Sequence, residues 1–239
     1  MPMIVTFRLR PLAFALAICI VFLTVVHVFV MFCYVKGSCG AGTWFAMNMG
    51  YMFDLNREWN IPTWFSVVQL FFVAVLLSVV ALSEQAKRSP AGYWWGLTVL
   101  FLYLSLDEAT DMHGLWTNVV PDLKTGSTMD GFLWVIPATF VVAAVGLIFL
   151  RWTLRLPGRT RAFFFASGFI YVTGGLGFEV IGSKLADETF TNPAYLVAST
   201  IEEALEMTGV FVMLLGVSGY LRSSKVVLVF QDHGSKTTG

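Results

Sequence analysis

The stretch Ile61–Ser83, IPTWFSVVQLFFVAVLLSVVALS, runs for 23 residues without a charge. As a helix it would reach about 34 Å, enough to cross roughly 30 Å of hydrocarbon. Its apolar residues are continuous rather than alternating with period two, which argues against a membrane barrel. Working outward, runs of the same kind occupy 11–35, 90–107, 131–150, 162–182 and 194–221. Together they predict an all-α integral membrane bundle of about six transmembrane helices.

Composition agrees, with 57% hydrophobic and only 13% charged residues and a mean hydropathy of +0.75. Soluble domains carry roughly 25% charged residues. No Pro/Gly/Ser-rich linker, low-complexity tract or repeat divides the chain, so residues 1–239 read as one transmembrane domain. The opening Phe7-Arg8-Leu9-Arg10 and its apolar run lack a small-residue cleavage pattern, which predicts a retained first span. A formal net charge of +0 provides no field for a nucleic acid partner.

In a six-span arrangement, Arg8, Arg10, Lys87, Arg88, Arg151, Arg155, Arg159, Arg161, Arg222, Lys225 and Lys236 fall on one face. Lys36, Arg57, Lys124 and Lys184 fall on the other. The positive-inside rule then makes both termini cytoplasmic. The acids divide the opposite way, with only Glu84 and Asp232 on the cytoplasmic side.

Those acids are the strongest functional signal, because ionisable groups at membrane depth cost several kcal/mol unless paired or wetted. Asp107, Glu108, Asp111 and His113 follow the third run, Glu179 lies in the fifth, and Glu202, Glu203 and Glu206 lie in the sixth. The loop with Asp54, Arg57 and Glu58 falls at similar depth. Glu202 and Glu206 are i,i+4 neighbours and Glu203 and Glu206 are i,i+3 neighbours, so three carboxylates crowd a turn and a half. A cation, bound protons or a basic partner such as Arg57 or Lys184 must offset them. Asp107 and Asp111 share a face, and Gly114 is expected to end the helix and turn His113 inward.

Carboxylates suit a hard divalent cation, and one imidazole shifts the preference toward zinc, manganese or iron. Glu108, His113, Glu179, Glu202 and Glu206 are the candidate ligands, with Glu203 or Asp107 as general base. No paired Glu-x-x-His, His-Glu-x-x-His, Gly-x-Ser-x-Gly or P-loop is present. Of the other histidines, His27 lies in span one and His233 in the tail, apart from the cluster.

Weaker signals have simpler readings. Gly174, Gly175 and Gly177 read as a site of close helix approach, Pro137 as a packing kink, and the eight tryptophans as an interfacial belt. A disulfide between Cys33 and Cys39 is left open, as is a lid role for the loop from Leu115 to Asp130.

The stretches Asp54-Leu55-Asn56-Arg57-Glu58-Trp59-Asn60-Ile61-Pro62-Thr63-Trp64-Phe65-Ser66, Leu104-Ser105-Leu106-Asp107-Glu108-Ala109 through His113, and Ile201-Glu202-Glu203-Ala204-Leu205-Glu206-Met207 resemble elements of a group of uncharacterised bacterial multi-pass membrane proteins. The likeness covers most of the chain in the same order. It implies a bacterial inner membrane with the acidic side facing the periplasm, and it carries no known activity. An acid is expected directly after the histidine, where this chain has Gly114.

Three readings follow. The first is a metal-dependent membrane enzyme, a hydrolase or oxidoreductase, acting on a lipid or other membrane-embedded substrate. The second is a proton- or cation-coupled transporter or channel with Glu206 as carrier site. The third is a non-catalytic accessory subunit, its acids forming a docking surface for a membrane-protein partner or a second copy. The imidazole among carboxylates from several helices ranks the first ahead.

Overall fold

The computed structural model describes residues 3–4, 9–36, 43–120, 123, 128–188, 190, 192–224 and 229–230. These residues form a helical bundle: α1 (Leu9–Lys36), α2 (Thr43–Phe53), α3 (Ile61–Ala86), α4 (Gly92–Thr110), α5 (Val135–Thr153), α6 (Gly158–Val172), α7 (Glu179–Leu185) and α8 (Pro193–Ser223). A two-residue antiparallel pair, β1 (Met3–Ile4) with β2 (Val229–Phe230), joins the two ends of the chain.

Five segments are long and apolar enough to cross a membrane: Arg10–Cys33, Ile61–Ala86, Phe132–Thr153, Gly158–Leu185 and Pro193–Ser223. The expected span at 90–107 is the 19-residue α4, which packs along α3 but falls outside that group. Its acidic final turn and its Ser and Thr dilute the hydropathy. Cys33 is disulfide-bonded, Cys19 is free, and Cys39 lies outside the described residues.

Local chemistry sets the helix starts. Asn60 caps α3 by accepting from the Thr63 amide, with Pro62 in the first turn; Asn192 caps α8 through the Ala194 amide, with Pro193 beside it. Asn at the cap and Pro just inside satisfy or remove otherwise orphaned N–H groups. Pro137 is the third residue of α5, within the first turn, where a proline is tolerated. The connection from span one to span two contains α2, a helix the hydropathy runs did not show.

The core lies between α3, α4, α6 and α8. Leu70, Val73, Leu77, Val80, Leu97, Val210, Leu214 and Val217 fill it, with Trp94 and Phe164 at one end. α6 and α8 approach closely where α8 has glycine. A Cβ on Gly209 would lie 2.8 Å from the Tyr171 backbone nitrogen, and one on Gly216 would lie 2.8 Å from Phe163 Cβ. Ser167 bridges the contact by donating to Gly209 O at 2.7 Å. Small residues that let backbones meet are a main source of attraction where apolar burial supplies none.

Helices alternate in direction, so the bundle has two unlike ends. One collects Arg10, Lys87, Arg88, Arg151, Arg155, Arg159, Arg161 and Arg222 around an aromatic cluster. There Trp94 meets Trp152, Phe164 and Tyr220 at ring distances of 4.8, 6.0 and 4.7 Å, and Tyr93 stacks on Trp152 at 5.4 Å. The other end collects the acids.

Candidate functional site

α8 carries Glu202, Glu203 and Glu206 into the acidic end, all half-buried. Glu108, from the last turn of α4, lies within electrostatic reach of Glu206, Glu58, His113 and Asp107. Glu203 is within reach of Glu108, Glu206, Glu202 and Glu58. Glu179, at the start of α7, lies beside Glu202. Every candidate acid from the sequence therefore joins one cluster, with Glu58 added from the loop before α3. Glu58 Oε2 and Asp107 Oδ1 are buried with no hydrogen-bond partner among the described residues.

The imidazole plays a different part from the one expected. α4 stops at Thr110 because Asp111 adopts a left-handed conformation, φ 53°, which Asp tolerates better than most residues. The helix thus ends four residues before Gly114, and His113 opens a separate 3₁₀ turn, His113–Val119. Gly114 has another use: a Cβ there would lie 3.0 Å from Asp111 Oδ1, so the glycine leaves room for Asp111 to reach back. His113 Nδ1 lies 3.2 Å from Asp107 Oδ2 and its Nε2 lies 3.3 Å from Asp111 Oδ1. Burial opposes a charge on His113. The Asp107 hydrogen bond and the charges of Asp107, Asp111 and Glu58 outweigh that and raise its pKa to about 9. With an aspartate oxygen beside each ring nitrogen, His113 is placed as a counter-charge to Asp107 and Asp111. Burial, helped by Asp111 and Asp107 and opposed by His113, holds Glu58 at about 6.

The fifth span is interrupted beside the acids. Thr173–Phe178 is a π-helical turn joining α6 to α7. Such turns are uncommon and frequently mark functional sites. Its glycines make the room the sequence suggested. A Cβ on Gly174 would lie 2.8 Å from Glu202 O and 3.1 Å from Glu206 Cγ, and a Cβ on Gly175 would overlap Glu206 Oε1. Tyr171, one turn earlier in the chain, stands among Glu206, Glu108, Asp107 and Glu203.

A cleft of about 410 Å³ opens onto the cluster, lined by Asp111, His113, Thr117, Asp130, Trp134 and Glu179. The Trp134 indole N–H donates to Glu179 Oε1 at 2.9 Å, and its ring lies 4.7 Å from that of His113. Trp134 is therefore a wall of the site rather than only a belt residue. Of the connection from Leu115 to Asp130, whose lid role the sequence left open, part lies outside the described residues.

His27, set apart by its sequence position, also reaches this end. It is 0% exposed. Its Nδ1 accepts the Leu55 N–H at 3.0 Å, which leaves the proton on Nε2, 3.0 Å from Thr200 Oγ1. The Thr200 hydroxyl points its own hydrogen at Leu196 O. His27 is thus a neutral tautomer pinning span one to α8, two residues from Glu202, and to the loop that carries Glu58. Asp54 Oδ1, 3.6 Å from Nδ1, accepts the Asn56 N–H at 3.1 Å, and Asp54 Oδ2 accepts from Arg57 Nε at 3.1 Å.

No sequence signal assigned Tyr171 or His27 a partner in this site, since each has an apolar body in an apolar run, and Trp134, at the start of the fourth run, read only as a belt residue. Arg57 pairs with Asp54. Among the described residues no three His, Cys, Asp or Glu side chains are arranged to hold a metal ion.

Residues 13–220 match the domain of unknown function DUF8692, and the chain belongs to that family. No curated protein and no solved structure matches it.

Proposed function

We propose that this member of the DUF8692 family is a multi-pass membrane protein with both termini cytoplasmic. Its acidic end would be a cation-dependent site acting on a lipid or other membrane-embedded substrate. The distribution of Lys and Arg supports the orientation, since the basic end belongs to the cytoplasm. In a bacterial inner membrane the acidic end would then face the periplasm.

The observation that carries the proposal is the charge imbalance. Glu58, Asp107, Glu108, Asp111, Glu179, Glu202, Glu203 and Glu206 share one region with a single imidazolium, and two of their oxygens are buried without partners. Buried carboxylates persist when paired, protonated or bound to a cation. With His113 engaged by two aspartates, the donors left for a metal are Glu108, Glu179, Glu202 and Glu206. An all-oxygen set favours manganese or magnesium over the zinc or iron that an imidazole ligand suggests. Among the described residues no three of these side chains already converge on one point, so a bound cation would have to draw them together. Glu203 or Asp107 would serve as general base, with a bound cation polarising the substrate.

A proton- or cation-coupled transporter is the second reading, favoured by the Glu179–Glu202 carboxyl pair and the π turn beside Glu206. The packing beneath the cluster weighs against it. Val73, Leu77, Val80, Leu214 and Val217 are each 0% exposed and form an apolar layer toward the basic end, with buried Gln69 beside them carrying both side-chain polar atoms without partners among the described residues. A one-sided site suits chemistry or binding better than passage.

The deciding experiment is elemental analysis of detergent-purified protein beside the Glu202→Gln/Glu206→Gln variant. Stoichiometric metal in the wild type, lost in the variant, is the expected result. If neither protein holds metal, the cation-dependent enzyme reading fails, and proton flux in liposomes becomes the test of the second.

A further inference from the structure

We infer that the acidic site has a water-binding inner wall, formed by the side-chain amide of Gln69 on α3 and the carboxyl group of Glu203 on α8. This deepens the proposed function by assigning water to the residue that would serve there as general base; that role, though not the water itself, rests on the reading given above.

Gln69 is the first observation. It is 1% exposed, and its Oε1 and Nε2 are both buried with no hydrogen-bond partner among the described residues. A primary amide donates twice and accepts twice, and buried polar groups are met by protein or by ordered water in nearly every case.

The second observation is what the amide faces. On α3, Gln69 shares a buried stripe with Val73, Leu77, Val80 and Glu84. On α8, Glu203 begins a stripe continued at helical spacing by Met207, Val210, Leu214 and Val217. The two helices pack together and run in the same direction, and Glu84 lies beside Tyr220. Counting back from that pair by equal steps brings Gln69 level with Leu205, between Glu203 and Glu206. Phe65, one turn before Gln69, packs in the same apolar cluster as Met207, one turn after Glu203. The amide therefore stands at the depth of the carboxylates, on the side of α3 that meets Glu203. Glu203 is within electrostatic reach of Glu108, Glu206, Glu202 and Glu58, which joins this wall to the cluster. The described lining of the cleft includes no residue of α3 or α8, so the wall lies behind the carboxylates as seen from the cleft mouth.

Hydrogen-bond chemistry decides the ligand. A metal ion would meet Oε1 and leave the NH2 group unmet. An anion would meet Nε2, leave Oε1 unmet and be repelled by the glutamates. Water donates to Oε1 and accepts from Nε2, and buried water typically makes about three hydrogen bonds to such groups. Glu203 offers the further acceptor.

The test is X-ray radiolysis of the detergent-purified full chain in 18O-labelled water, which generates hydroxyl radicals from bound water in place; methionine oxidation is then read by mass spectrometry. Met207 and Met213 are 2% and 6% exposed, so bulk radicals reach neither. Met207, on the stripe of Glu203, is expected to oxidise at least tenfold faster than Met213. In Gln69→Leu its rate should fall to that of Met213, with no rise in melting temperature. Equal rates in the wild type overturn the inference whether or not the variant folds. An excess at Met207 that survives in Gln69→Leu also overturns it, as does a higher melting temperature for that variant, which would mean that the amide packs dry. The Glu202→Gln/Glu206→Gln variant should keep the Met207 excess, so loss of the cation site and loss of the water site give different results.

Discussion

The two ends of this bundle are built from opposite materials. At the basic end, six aromatic side chains from α4, α5, α6 and α8 interlock, the arginines stand outward, and buried Glu84 is held by Lys87 at 3.0 Å. At the acidic end, like charges crowd together, one helix ends in a left-handed aspartate and another loosens into a π turn. Proteins hold strained and unsatisfied groups where function uses them and where neighbouring structure over-determines the geometry. Here the aromatic end and the core supply rigidity, and the acidic end uses it.

That contrast predicts which changes unfold the chain and which alter only its site. Gly209→Val should have the largest effect, because its side chain meets the backbone of Tyr171, which cannot rotate away. A loss of about 3 kcal/mol or more is expected, seen as a collapsed melting transition or an aggregated gel-filtration peak. Trp94→Ala should cost about 3–4 kcal/mol in thermal unfolding while leaving cation retention at the far end unchanged. If retention falls in step with stability, the two ends are not separable.

Next in size is His113→Gln. Because the folded pKa of His113 is raised to about 9 from an ordinary 6.5, its contribution is complete below pH 6.5 and is lost as pH rises through 9. Wild type should therefore lose on the order of 2 kcal/mol over that window, and the variant should show no such slope. Glu202→Gln should act in the opposite sense to the core changes, relieving repulsion by about 1 kcal/mol and raising the melting temperature slightly while reducing cation retention. Arg57→Ala should fall within about 0.5 kcal/mol of wild type in the same assay, since its partner contact is largely exposed.

Much of this architecture is legible from residue order. A run such as Ile61–Ser83 has few alternatives to a long helix, and its boundary at Asn60-Ile61-Pro62 is written in capping chemistry. The meeting of Glu179 with Glu202 and Glu206 follows from helix direction and depth alone. What escapes is whatever depends on backbone departures of a single residue. Asp111 ends α4 because its left-handed conformation is chosen by the contact with His113, and no local rule prefers it to Gly114. His27 and Tyr171 escape for another reason. A polar atom on a mostly apolar side chain shows its use only when its partner, Thr200 or Glu206, is brought beside it.

The π turn at Thr173–Phe178 has one more consequence. It places one residue more than an α-helix needs between α6 and α7, so α7 is rotated by about 100° relative to a continuous helix. Glu179 meets Trp134 and Glu202 only in that rotated phase. Removing a single residue here, Gly175 for example, would leave every charge in the chain intact and still swing Glu179 away from the cluster. The extra residue is an index mark, and the composition of the site depends on a count.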